Sequence, residues 1–187
     1  MAIDQDKEPE SNDEIIERCL GAIAEGNSEA IGEIYEITRG GVYGLLFSYL
    51  KNAEDAEDLM QDTYVKIATS AHLYSSRGKP MAWIYTIARN LALMKLRKST
   101  RITDIPDYEW DNITDVSDRF MSDDKLVLQA AMKHLSDNEI QIVMLHAVGG
   151  VKFREIAAVL DIPLATALSK YNRAMKKLQK LLEDDCE

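Results

Sequence analysis

The chain has 187 residues, of which 46% are apolar, and its 22 basic and 32 acidic side chains give a formal net charge of −10. This length and composition are typical of one large or two small soluble domains, and they exclude collagen-like and wholly disordered chains. No segment reaches the ~20 apolar residues of a membrane helix, so we expect no membrane insertion, and the acidic net charge taken alone argues against nucleic-acid binding.

The apolar spacing of the first half predicts helices and no strands. The predicted helices span, in order, about 11–25, 28–50, 53–70 and 80–99. Three glycines, Gly40, Gly41 and Gly44, are expected to weaken the second helix. Asn52 is a plausible cap for the third helix, and Pro80 suits the first turn of the fourth. A turn-rich loop at residues 72–79 joins these last two helices.

The second half begins with a segment, residues 100–121, that is rich in aspartate and shows no periodicity, which predicts an acidic flexible linker. Further helices are predicted at about 122–134, 136–149, 152–160 and 163–183. We therefore predict an all-α fold of two small helical domains. The predicted division is an acidic lead with a first helix (1–27), a helical domain (28–99), the linker (100–121) and a second helical domain (122–187).

Charge is distributed unevenly along the chain. The net charge is −8 over residues 1–35, +3 over 36–100, −5 over 101–125 and 0 over 126–187. Two runs contain basic residues and no acidic ones. One extends from the end of the first helical domain into the start of the linker and carries Arg89, Lys95, Arg97, Lys98 and Arg101, and the other lies in the second helical domain and carries Lys170, Arg173, Lys176, Lys177 and Lys180. This asymmetry indicates nucleic acid as a partner despite the net charge.

Residues 153–164 have the pattern of a helix-turn-helix, with the small Ala157 at the helix contact and Asp161 in the turn, where such motifs often have glycine. Aspartate tolerates the left-handed conformation better than most residues. The second helix of such a motif enters the major groove of DNA with its N-terminal residues toward the bases. The candidate base-reading residues are Leu164, Thr166, Ala167, Ser169, Lys170 and Arg173, and the candidate phosphate contacts are Lys176, Lys177 and Lys180.

The alternative for this segment is a solvated amphipathic helix without a role in DNA binding. Its buried stripe would comprise Leu164, Leu168, Tyr171, Met175, Leu178 and Leu182.

The third predicted helix carries an acidic face. Glu54 and Asp55 are explained by the helix dipole, which favours acids in a first turn. The helix dipole does not explain the acids beyond the first turn. The face opposite the apolar stripe comprises Asp55, Asp58, Gln61, Asp62 and Val65. This face is predicted to bind a partner.

Two segments of the first half resemble region 2 of the bacterial sigma-70 family: residues 55–62, Asp-Ala-Glu-Asp-Leu-Met-Gln-Asp, and residues 82–92, Ala-Trp-Ile-Tyr-Thr-Ile-Ala-Arg-Asn-Leu-Ala. The helix-turn-helix at about 150–182 is similar to region 4 of the extracytoplasmic-function branch. The resemblance covers about 31–99 and 122–182. It implies a sigma factor that binds core RNA polymerase, contacts the −35 and −10 promoter elements and promotes DNA melting.

The resemblance also implies partners and a role for each site. The partners are the largest-subunit clamp and the flap of core RNA polymerase, promoter DNA and an anti-sigma factor. The implied polymerase-binding residues are Asp55, Asp58, Leu59, Gln61 and Asp62. The residues implied for −10 binding and melting are Ser75, Ser76, Arg77, Lys79, Arg89, Asn90, Lys95, Arg97 and Lys98. Trp83 and Tyr85 are candidates for stacking on bases, although Trp83 fits a core position better.

Relatives often carry an acid where Met94 stands, basic residues near Gly40, Gly41 and Gly44, and a positive charge where Leu168 stands. Because fewer phosphate contacts weaken DNA binding and reduce its salt dependence, Leu168 predicts weaker −35 binding. This motivates the alternative function of a sigma-like decoy that sequesters an anti-sigma factor. The linker, for its part, is expected either to mimic a phosphate backbone or merely to be solvated.

An enzyme is the third class of function, and we expect none. His72, His134 and His146 show no metal-ligand spacing, and the last two fit structural positions in helices. No phosphate-binding glycine loop or nucleophile motif is present in the sequence. Cys19 and Cys186 suggest neither a disulfide framework nor a metal site, so we expect a cytoplasmic protein without metal or cofactor.

Overall fold

The computed structural model describes residues 10–75, 78–99 and 134–184. Its helices, in chain order, are α1 (Asn12–Ala24), α2 (Ile31–Leu50), α3 (Ala53–Ser70), α4 (Pro80–Ser99), α5 (Asp137–Val143), α6 (Phe153–Leu160) and α7 (Leu164–Asp184). Single 3₁₀ turns at Ser28–Ala30 and Ala71–Leu73 precede α2 and follow α3, and a π-helical turn, Met144–Val148, continues α5. The all-α prediction is confirmed. The predicted linker, and the predicted helix at 122–134 except for its last residue, lie outside the described residues.

Polar caps fix where several helices begin. Ser11 and Glu14 form a capping box at α1, in which the backbone amide of Ser11 donates to the Glu14 carboxylate over 2.8 Å. Ser136 and Glu139 form the same arrangement at α5, with a 2.9 Å bond. The side chain of Asn52 accepts from the backbone amide of Asp55 at the start of α3. Each cap satisfies amides that have no partner within the helix.

Helix α2 is the centre of the molecule. Every residue from 41 to 48 is buried, which is typical of a helix surrounded on all sides. Helices α1, α3 and α4 pack around it. Helix α2 continues through the three glycines, and at Gly41 and Gly44 neighbouring side chains approach it so closely that a Cβ would meet them.

The helices of the second half pack directly onto those of the first, along a surface that we call the seam. Helix α5 and its π turn contact α2, while α6 contacts α4, and one hydrophobic core runs through both groups. At the seam the side chain of Met144 packs directly against Gly44. A Cβ added at Gly44 would lie only 2.2 Å from the Met144 methyl group, so this close contact requires a glycine. Lys51 and Asp137 form an ion pair at its edge. The sequence did not predict this contact between the two groups.

The second group contains the predicted helix-turn-helix. Helix α6 buries Ile156, Val159 and Leu160, and Asp161 directly after it is left-handed, with a φ of 57° and a ψ of 50°. Helix α7 then begins at Leu164, after the three connecting residues 161–163. The expected left-handed aspartate in the turn is confirmed.

Candidate polymerase and nucleic-acid interfaces

The outer face of α3 presents acids to solvent. Asp58, Gln61 and Asp62 are exposed, and Val65 beside them has 62% of its surface accessible. They share this face because α3 buries the opposite one, which carries Ala56, Thr63 and Ile67. An exposed valine among carboxylates suits a partner surface that is basic at its edge and apolar at its centre.

Two residues predicted to bind polymerase lie in other surroundings. Leu59 is only 6% exposed because it belongs to the buried stripe of α3, so its side chain does not lie on the acidic face. Asp55 is half-buried and forms an ion pair with Lys95 of α4, itself predicted to bind DNA. This pair ties the acidic face to the helix that carries the −10 candidates.

Helix α4 has one solvent-facing stripe. Thr86, Asn90, Met94 and Arg97 recur at helical spacing along it and are all exposed, as is Lys98 next to it. Met94 has 63% of its surface accessible, which sequence reasoning noted only as a departure from relatives. The stripe therefore offers hydroxyl, amide, thioether and guanidinium groups in a row, and its cationic end lies at the helix C-terminus.

The loop before α4 is anchored to α1. Glu17 of α1 accepts hydrogen bonds from the hydroxyl of Tyr74, over 2.8 Å, and from the amide of Gly78, over 3.1 Å. Tyr74 also packs against Trp83, with ring centroids 5.3 Å apart. Trp83 is half-buried against the core, as expected. Sequence reasoning missed Glu17, since nothing in the local pattern distinguishes it from other surface acids.

Of the loop residues predicted to bind the −10 element, Ser75 and Lys79 are exposed. Ser76 and Arg77 lie outside the described residues.

Two candidates on α4 point into the seam rather than toward solvent. Tyr85 is fully buried, which excludes it as a base-stacking residue in this arrangement. Arg89 is half-buried, and its guanidinium donates to the carbonyl of Leu160 at the end of α6 over 3.5 Å. The predicted strand contact by Arg89 is therefore not available while the two groups of helices are packed together.

The first turns of α7 form the second nucleic-acid candidate. Leu164, Ser169 and Arg173 are exposed, while Thr166 and Lys170 are half-buried. The Nε of Arg173 donates to the carbonyl of Ser169 over 3.3 Å, which holds the guanidinium along the helix. Lys176 and Lys180 are exposed further along α7. These residues form a basic strip.

Helix α7 is rotated relative to the sequence-based assignments. Ala167 is 0% exposed, so its side chain does not lie on the surface proposed to contact bases, and Ala174 and Leu178 of the same helix are buried as well. The predicted buried stripe is wrong for Leu164, Leu168 and Met175, each of which is 39% exposed.

Lys177 is held within the protein. Its ammonium donates to Glu139 over 2.8 Å, and the side chain of Glu139 is 6% exposed. Burial by itself would raise the pKa of Glu139, but hydrogen bonds from Lys177 and Ser136 outweigh burial and lower it. Lys177 thus braces α7 against the start of α5, in addition to any contact with phosphate.

An aromatic cluster stabilises the helix-turn-helix. The ring of His146 lies 4.0 Å from that of Phe153 and 4.9 Å from that of Tyr171, measured between centroids. Its Nδ1 is 2.9 Å from the carbonyl oxygen of Val151. The structural role expected for His146 is confirmed. His134 is exposed at the edge of the described residues.

Within the described ranges, no group of histidine, cysteine, aspartate and glutamate side chains could hold a metal ion. Over the same ranges no helix is long and apolar enough to cross a membrane.

Comparison with protein families matches both groups of helices. The model for sigma-70 region 2 covers residues 34–102, and the model for sigma-70 region 4 covers residues 125–178. The chain belongs to the sigma-70 family of extracytoplasmic-function type. Members of this family are promoter-directing subunits of RNA polymerase, and the family is a regulatory one.

Relatives of this type are similar along at least four fifths of their length. The RNA polymerase sigma factor SigW of Bacillus subtilis is 24% identical, over 91% of this chain and 98% of its own. SigX of the same organism is 26% identical, over 80% of this chain and 82% of its own. SigK of Mycobacterium ulcerans is also 26% identical, over 94% of this chain and 97% of its own. All three are described as extracytoplasmic-function sigma factors.

Two solved structures share the fold. CnrH, in complex with the cytosolic domain of CnrY, has a TM-score of 0.58 at 21% identity and covers 91% of this chain and 99% of its own. The sigma factor RpoE of Bartonella quintana, in complex with the anti-sigma factor NepR, has a TM-score of 0.59 at 22% identity, over 81% and 96%. They show that helices of both regions belong to one known fold.

Proposed function

We propose that this sigma factor docks on the clamp of core RNA polymerase through the acidic face of α3. In this proposal α7 binds the −35 element, the stripe of α4 binds the −10 element, and the protein promotes DNA melting. The observation that carries the proposal is the arrangement of charge. The outer face of α3 exposes the carboxylates Asp58 and Asp62, while the charged groups that α4 exposes at 80–98 and α7 exposes at 164–180 are all cations.

The two helices suit two kinds of DNA contact. Helix α7 follows a turn and presents Ser169 and Arg173 from its first turns, which is the geometry for reading a major groove. The α4 stripe combines a basic end with Thr86 and Asn90, which suits the bases and backbone of a separated strand. The loop at 72–79 is proposed to hold a flipped base, and the hydrogen bonds of Tyr74 and Gly78 to Glu17, which fix these two residues against α1, support this proposal.

The packed arrangement has to open for both contacts to form at once. A globule of this length is about 40 Å across, from the usual scaling of the radius of gyration. The two promoter elements lie roughly 50–70 Å apart, between one and two helical turns. A linker of about 22 residues extends to roughly 70 Å, so it would allow both contacts once the seam separates.

An anti-sigma factor is a further proposed partner. Both structural neighbours are recorded in complexes, CnrH with CnrY and RpoE with the anti-sigma factor NepR. A compact arrangement that brings both regions together is one that such a protein could hold. The native protein can be purified and tested for a second, bound protein. A bound protein that dissociates when core polymerase is added would support an anti-sigma factor as a partner.

The proposed function is tested by transcription with core enzyme. DNA bound by the complex of core polymerase and this protein is sequenced, and the recovered promoters are used in run-off assays. We expect transcripts that depend on both the protein and the promoter. Core enzyme that binds the protein but neither selects promoters nor initiates would overturn the proposal and favour the decoy. Core enzyme that does not bind the protein would also overturn it.

The polymerase contact has its own test. Asp62→Lys reverses an exposed charge on the acidic face, and we expect it to weaken binding to core polymerase at least tenfold, since like charges would oppose docking. Glu25→Lys, an equal reversal at the exposed end of α1, is the matched control and is expected to bind normally. Equal affinity of both variants would contradict the assignment of this face.

A further inference from the structure

The seam contains a buried hydroxyl group. The oxygen of Tyr85 sits between two glycines: a Cβ at Gly41 would lie 2.1 Å from it, and a Cβ at Gly149 would lie 2.4 Å from it. Gly41 belongs to α2 in the first group of helices, whereas Gly149 follows the π turn in the second. The backbone at Gly149 therefore closes over the Tyr85 hydroxyl only when the two groups are packed together.

This hydroxyl makes no hydrogen bond within the described part of the protein, and neither does the Nε of Arg89 one turn further along α4. Tyr85 is 0% exposed. A hydroxyl that loses water without gaining a partner destabilises the state that buries it. Burial also raises the pKa of Tyr85, so the group stays neutral and offers an unused donor.

Other contacts across the seam favour packing. The Met144 side chain occupies the space beside Gly44 that a Cβ would fill, and both Met144 and Gly44 are buried. Lys51 and Asp137 form their ion pair nearby, partly exposed to solvent. Apolar burial thus opposes the cost of the unpaired polar groups within one interface.

We infer that the Tyr85 hydroxyl is a built-in destabilising element that keeps the packed arrangement marginal, so that the two regions can separate. When the seam opens, Gly149 moves away and the hydroxyl regains water, so opening is favoured at this residue. Tyr85 acts on the balance between packed and separated forms without touching DNA or polymerase. The inference concerns the free protein, and its test requires neither polymerase nor promoter.

The test compares two tyrosine-to-phenylalanine variants of the full chain. Tyr85→Phe removes the unpaired hydroxyl at the seam. Tyr64→Phe removes a hydroxyl that is buried within the first group and lies 2.9 Å from the hydroxyl of Thr38. Fluorescent dyes at Lys66→Cys and Lys180→Cys, two exposed positions in different groups, report the distance between the groups by energy transfer. Cys19→Ala and Cys186→Ser prevent labelling elsewhere.

Low concentrations of urea bring the packed and separated forms into a measurable range. We expect Tyr85→Phe to raise the ratio of packed to separated molecules about five- to tenfold, the usual effect of removing an unsatisfied buried polar group. Tyr64→Phe is expected to leave that ratio unchanged and to destabilise the first group instead. An unchanged or lower ratio in Tyr85→Phe would overturn the inference.

A second variant tests the opposite direction. Gly149→Ala places a methyl group 2.4 Å from the Tyr85 oxygen across the seam, at a φ of −86° that alanine adopts. The same methyl group would lie 2.9 Å from the Leu145 carbonyl oxygen within the second group, a contact that is also present in the combination with Tyr85→Phe and so cancels when the two are compared. We expect this variant to lower the ratio of packed to separated molecules. Combining Gly149→Ala with Tyr85→Phe removes the Tyr85 oxygen from this contact and is expected to restore part of the lost ratio. A Gly149→Ala protein that remains as packed as the parent would contradict the proposed contact.

Discussion

At the scale of single residues, backbone conformation was the most predictable property. The left-handed turn at Asp161 follows from the helix-turn-helix pattern, because few side chains tolerate that conformation and the motif needs one there. The rotation of α7 was less predictable. Leucines were assigned to the core on hydrophobicity, yet Ala167 and Ala174 are buried while Leu168 is exposed, because the orientation of α7 depends on how it packs against other helices and not on its own sequence alone.

Asp161 gives a direct test of the turn. Asp161→Gly is expected to raise the free energy of unfolding by about 0.5–1 kcal/mol, because glycine adopts the left-handed conformation without the steric cost that other residues bear. Asp161→Val, with a β-branched side chain, is expected to lower it by about 1–2 kcal/mol. Urea unfolding followed by circular dichroism measures both changes. A valine variant as stable as the parent would contradict the left-handed turn.

Leu168 gives a test of DNA binding at the same scale. Its side chain is 39% exposed on the proposed DNA-facing side of α7. Leu168→Lys is expected to strengthen binding to duplex DNA and to make its salt dependence steeper by about 0.9 in log–log slope, the contribution of one added phosphate contact. Fluorescence anisotropy at several salt concentrations measures the slope.

Met175→Lys is the control for this variant. Met175 has the same 39% exposure but lies two turns further along α7, away from the end proposed to enter the groove. We expect a smaller change in slope from it. Identical slopes for the parent and Leu168→Lys would place this side of α7 away from DNA.

At the scale of elements, helix order and helix ends were largely predictable, because caps such as Ser136–Glu139 are local in sequence. The partner that Glu139 finds in Lys177 was not, since the two residues are 38 positions apart. The contact exists only once α5 and α7 pack. The same reason explains why Lys177 was predicted solely as a phosphate contact.

The Glu139 site predicts how stability depends on pH. The folded protein holds the pKa of Glu139 below its ordinary value of 4.5, so its carboxylate stabilises the fold above that pH and ceases to do so as pH falls through the lowered pKa. Glu139→Gln is expected to lower the free energy of unfolding by about 1 kcal/mol near pH 7 and by progressively less below pH 4.5. Urea titrations between pH 3 and 7 measure this difference.

Glu14→Gln, in the similar capping box of α1, is the control. Glu14 is exposed and has no lysine corresponding to Lys177 among its hydrogen-bond partners, which are the amide and hydroxyl of Ser11. We expect a smaller loss of stability. A Glu139→Gln difference that grows as pH falls would contradict the assigned direction of the pKa.

At the scale of the whole molecule, the fold class and the family were within reach of the sequence, and the packing of the two groups of helices was not. The motifs at 55–62 and 82–92 each lie within a single helix, and the motif at 153–164 comprises one helix and the turn that follows it. Their patterns are therefore local in sequence. The seam instead depends on side chains that meet across the molecule, such as Gly44 with Met144 and Tyr85 with Gly149. No local sequence pattern specifies which side chain packs against which glycine.

The whole-molecule view also changes what the net charge means. The value of −10 argued against nucleic acid, yet the charged groups that α4 exposes at 80–98 and α7 exposes at 164–180 are all cations, and the outer face of α3 exposes Asp58 and Asp62. Such segregation fits a protein that binds DNA weakly alone and more strongly when polymerase covers its acidic face. Added salt is therefore expected to weaken the complex with core polymerase as well as the complex with DNA.

The most direct test of this account is permanganate probing of a promoter recovered with the protein, in the presence of core polymerase. We predict reactive, unpaired thymines within the −10 element that require both core polymerase and this protein. Asp62→Lys is expected to abolish this reactivity at protein concentrations at which Glu25→Lys retains it. Binding of the protein to core polymerase without any reactive thymine would contradict the proposed role in promoter melting.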